Sequence, residues 1–218
     1  MICRKTQKRN FGFTLTEIAI VLGIIGLILG AIWLAASSVY NNLRVSRAEA
    51  ELLQISQAVR SMYATAPTVD AGANMITLPF TSVITGAQTT YAQSNIFPSD
   101  MVTITNPGGA IAYTITNPWG GSVNIIATLA STPNDSFAIS FDGVPRHTCI
   151  GLLTVMTGSS RDPYMHAVQT GTSGTLTIAP GATGSILHTT FPLTPTTANT
   201  ACVTNANVNI AFQFRLKG

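Results

Sequence analysis

Charge is what this sequence has least of. Asp, Glu, Lys and Arg make up only 9% of its 218 residues, against about a quarter in an ordinary soluble domain. The shortage is uneven. Arg4, Lys5, Lys8 and Arg9 are four of the 11 basic residues, so the chain from Phe13 onward carries seven bases against eight acids. The net charge of +3 belongs to the first dozen residues. The remainder lacks the basic face that a nucleic-acid-binding domain needs. Histidine is equally sparse. His147, His166 and His188 lie far apart, with no H-x-x-x-H metal spacing. The sequence has no G-x-S-x-G elbow, phosphate-binding loop or Cys-x-x-Cys pair. No two of its scattered acids suggest general acid–base work, and no cofactor or metal is expected. Asp135, Asp142 and Asp162 do not match a calcium loop, and each reads as a solvated loop acid. Folding brings distant residues together, so a membrane-anchored head with enzymatic activity stays as the less favoured alternative.

Cysteine occurs three times. Cys3 sits in the basic leader, without the preceding apolar stretch of a lipoprotein signal. Cys149 and Cys202 fall late in the chain, and in an exported protein such a pair reads as a disulfide. Two unpaired buried thiols are the alternative. Proline is absent between Phe13 and Ala66, so nothing there interrupts a helix.

What the sequence does have is one long apolar run. From Ile18 to Val39 there is no charge, and the length suits the ~20 residues that a membrane-spanning helix needs. Basic residues before it place the N-terminus inside and the rest outside. An ordinary secretory signal, with "LAAS" at Leu34–Ser37 as its cleavage site, is the alternative. Yet the run begins abruptly at Gly12–Phe13 and keeps an acid, Glu17, near its start. A carboxylate beside hydrocarbon is costly and marks a functional position.

Gly12-Phe13-Thr14-Leu15-Thr16-Glu17, between a short basic leader and about twenty apolar residues, resembles the type IV prepilin signature. The resemblance implies cleavage after Gly12 by a membrane-embedded prepilin peptidase and N-methylation of Phe13. It also implies that Glu17 of one subunit neutralises the N-terminal ammonium of another. A buried charge needs such a partner, and the pairing favours one axial register. A Glu17 that merely snorkels to the membrane surface is the alternative. Gly23, Gly26 and Gly30 are further assembly candidates. Gly26-x-x-x-Gly30 is a small-xxx-small pattern that lets helices approach closely, and glycine loosens a helix by about 1 kcal/mol per residue. Glycine is also simply common in membrane helices.

Beyond the apolar run, Val45, Ala48, Leu52, Ile55, Val59 and Met62 recur at alternating steps of three and four. They form one stripe of an amphipathic helix, with Arg47 and Glu51 as an i,i+4 pair. Pro67 ends the pattern. The expected organisation is a leader at 1–12, a gently curved helix at 13–64 and a β-rich head at 65–218. In the helix, 13–40 is the membrane and filament segment and 41–64 the amphipathic one.

In the head, Ile111, Tyr113 and Ile115 alternate with small or polar residues, as do Val123, Ile125, Ala127 and Leu129. "NPWGG" at Asn117–Gly121 supplies a hairpin turn between them. "SFAISF" at Ser136–Phe141 is another strand. Val208, Ile210, Phe212, Phe214 and Leu216 alternate with Asn209, Ala211, Gln213 and Arg215, as in a half-buried antiparallel strand. Val144–Met156 reads as a short helix opened by Pro145. Segments 65–100 and 157–200 read as long loops with short strands.

The fold class is therefore α+β, a long N-terminal helix packed on an antiparallel sheet. With its late cysteines and "PWGG" turn, the head resembles type IVb pilins, including conjugative thin-pilus types. That resemblance implies a helical homopolymer built by machinery in the inner membrane, where the precursor resides before it enters an extracellular filament. A minor pilin and a type II secretion pseudopilin are the alternatives within this family.

Overall fold

A computed structural model describes residues 14–69, 96–105, 112–128, 130–131, 135–172, 176, 178, 185–202 and 207–217. The chain divides into two units, Met1–Asn41 and Asn42–Gly218. Helix α1 is Leu15–Met62, close to the expected bounds and without proline. In the first unit large apolar side chains of this helix are exposed, Leu15, Leu27 and Leu29 among them.

In the second unit the stripe read from the sequence becomes core. Ala48, Leu52, Ile55 and Val59 are completely buried, whereas Met62, expected to close the stripe, is exposed. Met62 is the last residue of the helix, where the core no longer needs cover.

The strands are β1 (Val102–Thr105), β2 (Ala112–Ile115), β3 (Val123–Thr128), β4 (Ser136–Pro145), β5 (Met165–Gly171), β6 (Ser185–His188) and β7 (Asn207–Arg215). Two short helices, α2 (Arg146–Met156) and α3 (Pro195–Ala201), flank β5 and β6 in the chain. Strands β1 and β2 form their own ribbon, and the main sheet has the order β3-β4-β7-β5-β6 with every pair antiparallel. Register follows the apolar alternation: Phe137 faces Phe214, Ile139 faces Phe212 and Phe141 faces Ile210. The Phe137 and Phe214 rings stack at 5.8 Å.

Three expectations need correction. First, "NPWGG" does not join two strands of one sheet. Strand β2 pairs with β1 and β3 with β4, and β2 meets β3 only at the bridge Thr116–Ser122. The turn itself forms. Asn117 N donates to Gly121 O, while Asn117 Oδ1 accepts from Trp119 N and Gly121 N. Gly120 supplies the left-handed backbone at φ 82° that other residues resist. Gly121 packs so closely on the Asp142 carbonyl that a Cβ there would collide with it.

Second, β7 is not half-buried. Its central position leaves Asn209, Ala211 and Gln213 covered as fully as the apolar face. Gln213 Nε2 donates to Thr128 Oγ1 and Ser136 Oγ across the neighbouring strands. A buried polar side chain is tolerated when it is so satisfied.

Third, 157–200 holds more regular structure than long loops with short strands. It contains β5, which is buried almost throughout, β6 and α3. Strand β5 escapes a pattern search because Gln169 and Thr170 interrupt its apolar rhythm. Their partners lie elsewhere: Gln169 Oε1 accepts from Ile178 N, and Thr170 Oγ1 donates to Ala201 O. Helix α3 begins at Pro195, with Thr194 as its cap accepting from Thr197 N. In the other long segment, 70–95 lies outside the described residues.

Candidate assembly site

Of the residues singled out for processing and assembly, Gly12 and Phe13 lie outside the described residues. Glu17 occupies the first turn of α1 and is exposed, in the company of Ile18, Val21 and Leu22. Thr14 precedes the helix, and its carbonyl accepts from Glu17 N and Ile18 N. The Thr14 hydroxyl stands 3.5 Å from Glu17 Oε2, a weak tie. An acid in the first turn suits the partial positive charge of a helix N-terminus. Gly23, Gly26 and Gly30 have no neighbour that an added Cβ would meet within 4 Å. Two steps of three and four residues put all three near one face of α1. The structure thus sets them beside one another on an uncovered surface.

Cys149 and Cys202 are joined, with Cα atoms 6.2 Å apart. Their bond ties the first turn of α2 to the residue that ends α3, and both side chains are fully buried. Helix α2 turns Cys149, Leu152, Leu153 and Met156 inward. These fall at i, i+3, i+4 and i+7, the inner face of an amphipathic helix.

Asp135, Asp142 and Asp162 of the second unit are anchored. Asp162 receives Arg60 through both terminal nitrogens at 3.0 and 2.6 Å, and the guanidinium also lies 4.7 Å over the Tyr164 ring. Burial pushes the Asp162 carboxyl up, but Arg60 and the Tyr164 amide outweigh it and hold the group below its usual range. Asp135 accepts from Ala130 N and Ser131 N, and Asp142 from Asn124 and Ser140. None of the three is the solvated loop acid expected from sequence: Asp142 lies within β4, with donors on β3 and β4, Asp162 is held by Arg60 of α1, and Asp135 by nearby backbone amides.

Arg47 bridges two carboxylates, Glu51 at 2.8 Å as expected and Asp100 at 2.6 Å, a partner no local pattern reveals. Glu51 is 4% exposed, and its second oxygen is buried without a donor. Burial pushes its carboxyl up to about 7, against the pull of the Arg47 hydrogen bond and charge. The folded state therefore holds this proton more tightly than the unfolded chain does. The stability that Glu51 contributes falls as pH rises from 4.5 to about 7. Glu51→Gln cannot ionise. Denaturant titrations across that window should show wild type losing stability relative to the variant as pH rises. A difference that is constant with pH would disprove the ionisation.

Two family models match the sequence. One, described as "Prokaryotic N-terminal methylation motif", covers residues 7–33. The other, described as "PilS N terminal", covers residues 44–214, well over half of the chain. The chain belongs to the type IV pilin family.

A pilin is a structural protein rather than an enzyme, and the long helix on an antiparallel sheet is this family's fold. No curated protein sequence matches this pilin. Among solved structures it is similar to the type IV b pilin from Salmonella typhi, at 17% identity over 80% of this chain and 99% of that one, with a TM-score of 0.49. It is also similar to TcpA, a type IV pilin from Vibrio cholerae El Tor biotype. There the identity is 17% over 78% of this chain and 98% of the other, with a TM-score of 0.44. The family assignment rests on the sequence models alone.

Proposed function

We propose that this pilin is the structural subunit of an extracellular filament of the b type, serving adhesion, conjugation or surface attachment. Prepilin peptidase removes residues 1–12 and Phe13 becomes the methylated N-terminus. The precursor waits in the inner membrane, with its basic leader on the cytoplasmic side, and the assembly machinery there stacks subunits into a helical homopolymer. In the polymer the Glu17 carboxylate meets a neighbour's Phe13 ammonium, and Gly23, Gly26 and Gly30 let neighbouring helices approach.

One observation carries this reading. A methylation motif leads directly into a helical segment whose large apolar side chains are exposed, while the second unit has a complete core of its own. Such a surface demands cover from lipid or from other copies. Mass spectrometry of material sheared from the cell surface should find this chain abundant and beginning at methylated Phe13. An N-terminus near Ala36 would point to ordinary secretion and end the filament reading. Correct processing with only trace abundance would favour a minor pilin.

A further inference from the structure

The apolar run of α1 is longer than a membrane is thick. No charge occurs from Ile18 to Leu43, about 39 Å of helix at 1.5 Å per residue, whereas a hydrocarbon core measures about 30 Å. The surplus lies at one end. From Ile18 to Ala36 there is no hydroxyl or amide side chain, and then Ser37, Ser38, Tyr40, Asn41 and Asn42 follow closely. Ile18–Ala36 makes about 28 Å of helix, so the hydrocarbon boundary falls between Ala36 and Ser37.

Trp33 and Tyr40 stand one turn to either side of that boundary. Seven residues apart, they share one face of the helix, at 79% and 57% exposure. Together with Ala36, Ser37 and Asn41 they line a shallow saddle. Two aromatic ridges thus enclose a floor that changes from apolar to polar midway. Trp and Tyr gather at membrane interfaces because each has an apolar ring and a polar tip that seeks a wet partner.

We propose that this saddle docks on the glycerol and headgroup layer of the membrane leaflet on the far side from the leader, and so sets the depth of the precursor. The Trp33 ring lies just under that layer with its N–H reaching the ester oxygens. The Tyr40 phenol lies among the headgroups, beside Ser37 and Asn41. A run with surplus length would otherwise slide or tilt to match the bilayer. The aromatic pair selects one position, and that position also holds Glu17 at the opposite face, where its carboxylate reaches water. Lipid suits the saddle better than a second copy does, because its apolar-to-polar change follows the helix axis as the bilayer's does.

This rests on the membrane-precursor reading, and the test separates the two. The full chain is reconstituted into phosphatidylethanolamine–phosphatidylglycerol vesicles and floated on a density gradient. Trp33 emission is obtained by subtracting the spectrum of Trp33→Phe, which keeps Trp119 and alters no buried contact. Vesicles carry brominated lipids labelled either near the glycerol or near the chain end. The expected result is flotation with greater loss of Trp33 emission from the shallow label. Tyr40→Leu should shift that loss toward the deep label. Flotation with Trp33 quenched chiefly by the deep label overturns the proposal and leaves the membrane reading standing. Failure to float overturns both. A Trp33 that stays unquenched in vesicles and becomes shielded only in filaments assigns the saddle to a second copy, and the lipid proposal falls.

Discussion

Cells that make this pilin only as Glu17→Ala should display few or no filaments, although the protein is inserted, cleaved after Gly12 and normally folded. The side chain sits in the first turn of α1 beside Ile18, Val21 and Leu22, outside the folded core, so its loss removes nothing from the second unit. Its effect is confined to assembly. On the proposed function, cleavage creates an ammonium at Phe13 and the filament takes that charge out of water. Leaving one member of a buried ion pair alone costs about 3–5 kcal/mol, and the cost recurs at each subunit contact. Were Glu17 only snorkelling, alanine would make the run more apolar and assembly would proceed. Electron microscopy of surface filaments decides, with immunoblots for the mature chain confirming processing. Abundant filaments built from the variant alone would remove Glu17 as the assembly determinant.

Loss of the Cys149–Cys202 bond should be the most damaging change within the second unit. The cysteines are separated by 53 residues, and a loop of that size corresponds to about 4 kcal/mol on the chain-entropy model. That loop contains β5 and β6 as well as α3. The bond therefore closes a loop that carries two of the main sheet's five strands. Changing either cysteine to Ser should lower stability by about 2–5 kcal/mol, read as a reduced denaturant midpoint. It also leaves a hydroxyl and a thiol in a site with no exposed surface at either residue. Cys149→Ala with Cys202→Ala removes the bond without those polar groups, so the loss that remains measures the cross-link itself. An unchanged midpoint in the double variant would show that the bond is dispensable for the fold.

The parts of this molecule that could be read from residues alone share one property: their signal is local and repetitive. The basic leader, Gly12–Phe13 and Glu17 are contiguous. The stripe Ala48, Leu52, Ile55, Val59 follows the period of a helix, and β7 alternates with the period of a strand. Helix α2 is announced by Pro145, and Cys149 and Cys202 are the two cysteines outside the leader. In each case the residue type carries the physical cost that dictates its place, whether an apolar side chain in water or a charge in hydrocarbon.

Only the tertiary structure could decide which strands are neighbours and which polar residues belong inside. Strand β5 runs between β7 and β6, yet Gln169 and Thr170 look like loop residues until Ile178 and Ala201 supply their hydrogen bonds. Gln213 looks like the solvent side of an edge until Thr128 and Ser136 come across the sheet to meet it. Asp162 reads as a surface acid until Arg60, about a hundred positions earlier, reaches it bidentately. Asp100 likewise becomes a partner only when Arg47 spans the gap to it. The sequence alone determined that this chain has a methylation motif, an apolar helical segment and a β-rich head. The long-range pairing of its polar groups was settled only in three dimensions, because a buried hydrogen bond is satisfied by whatever folding brings near, and nothing in the adjacent residues records it.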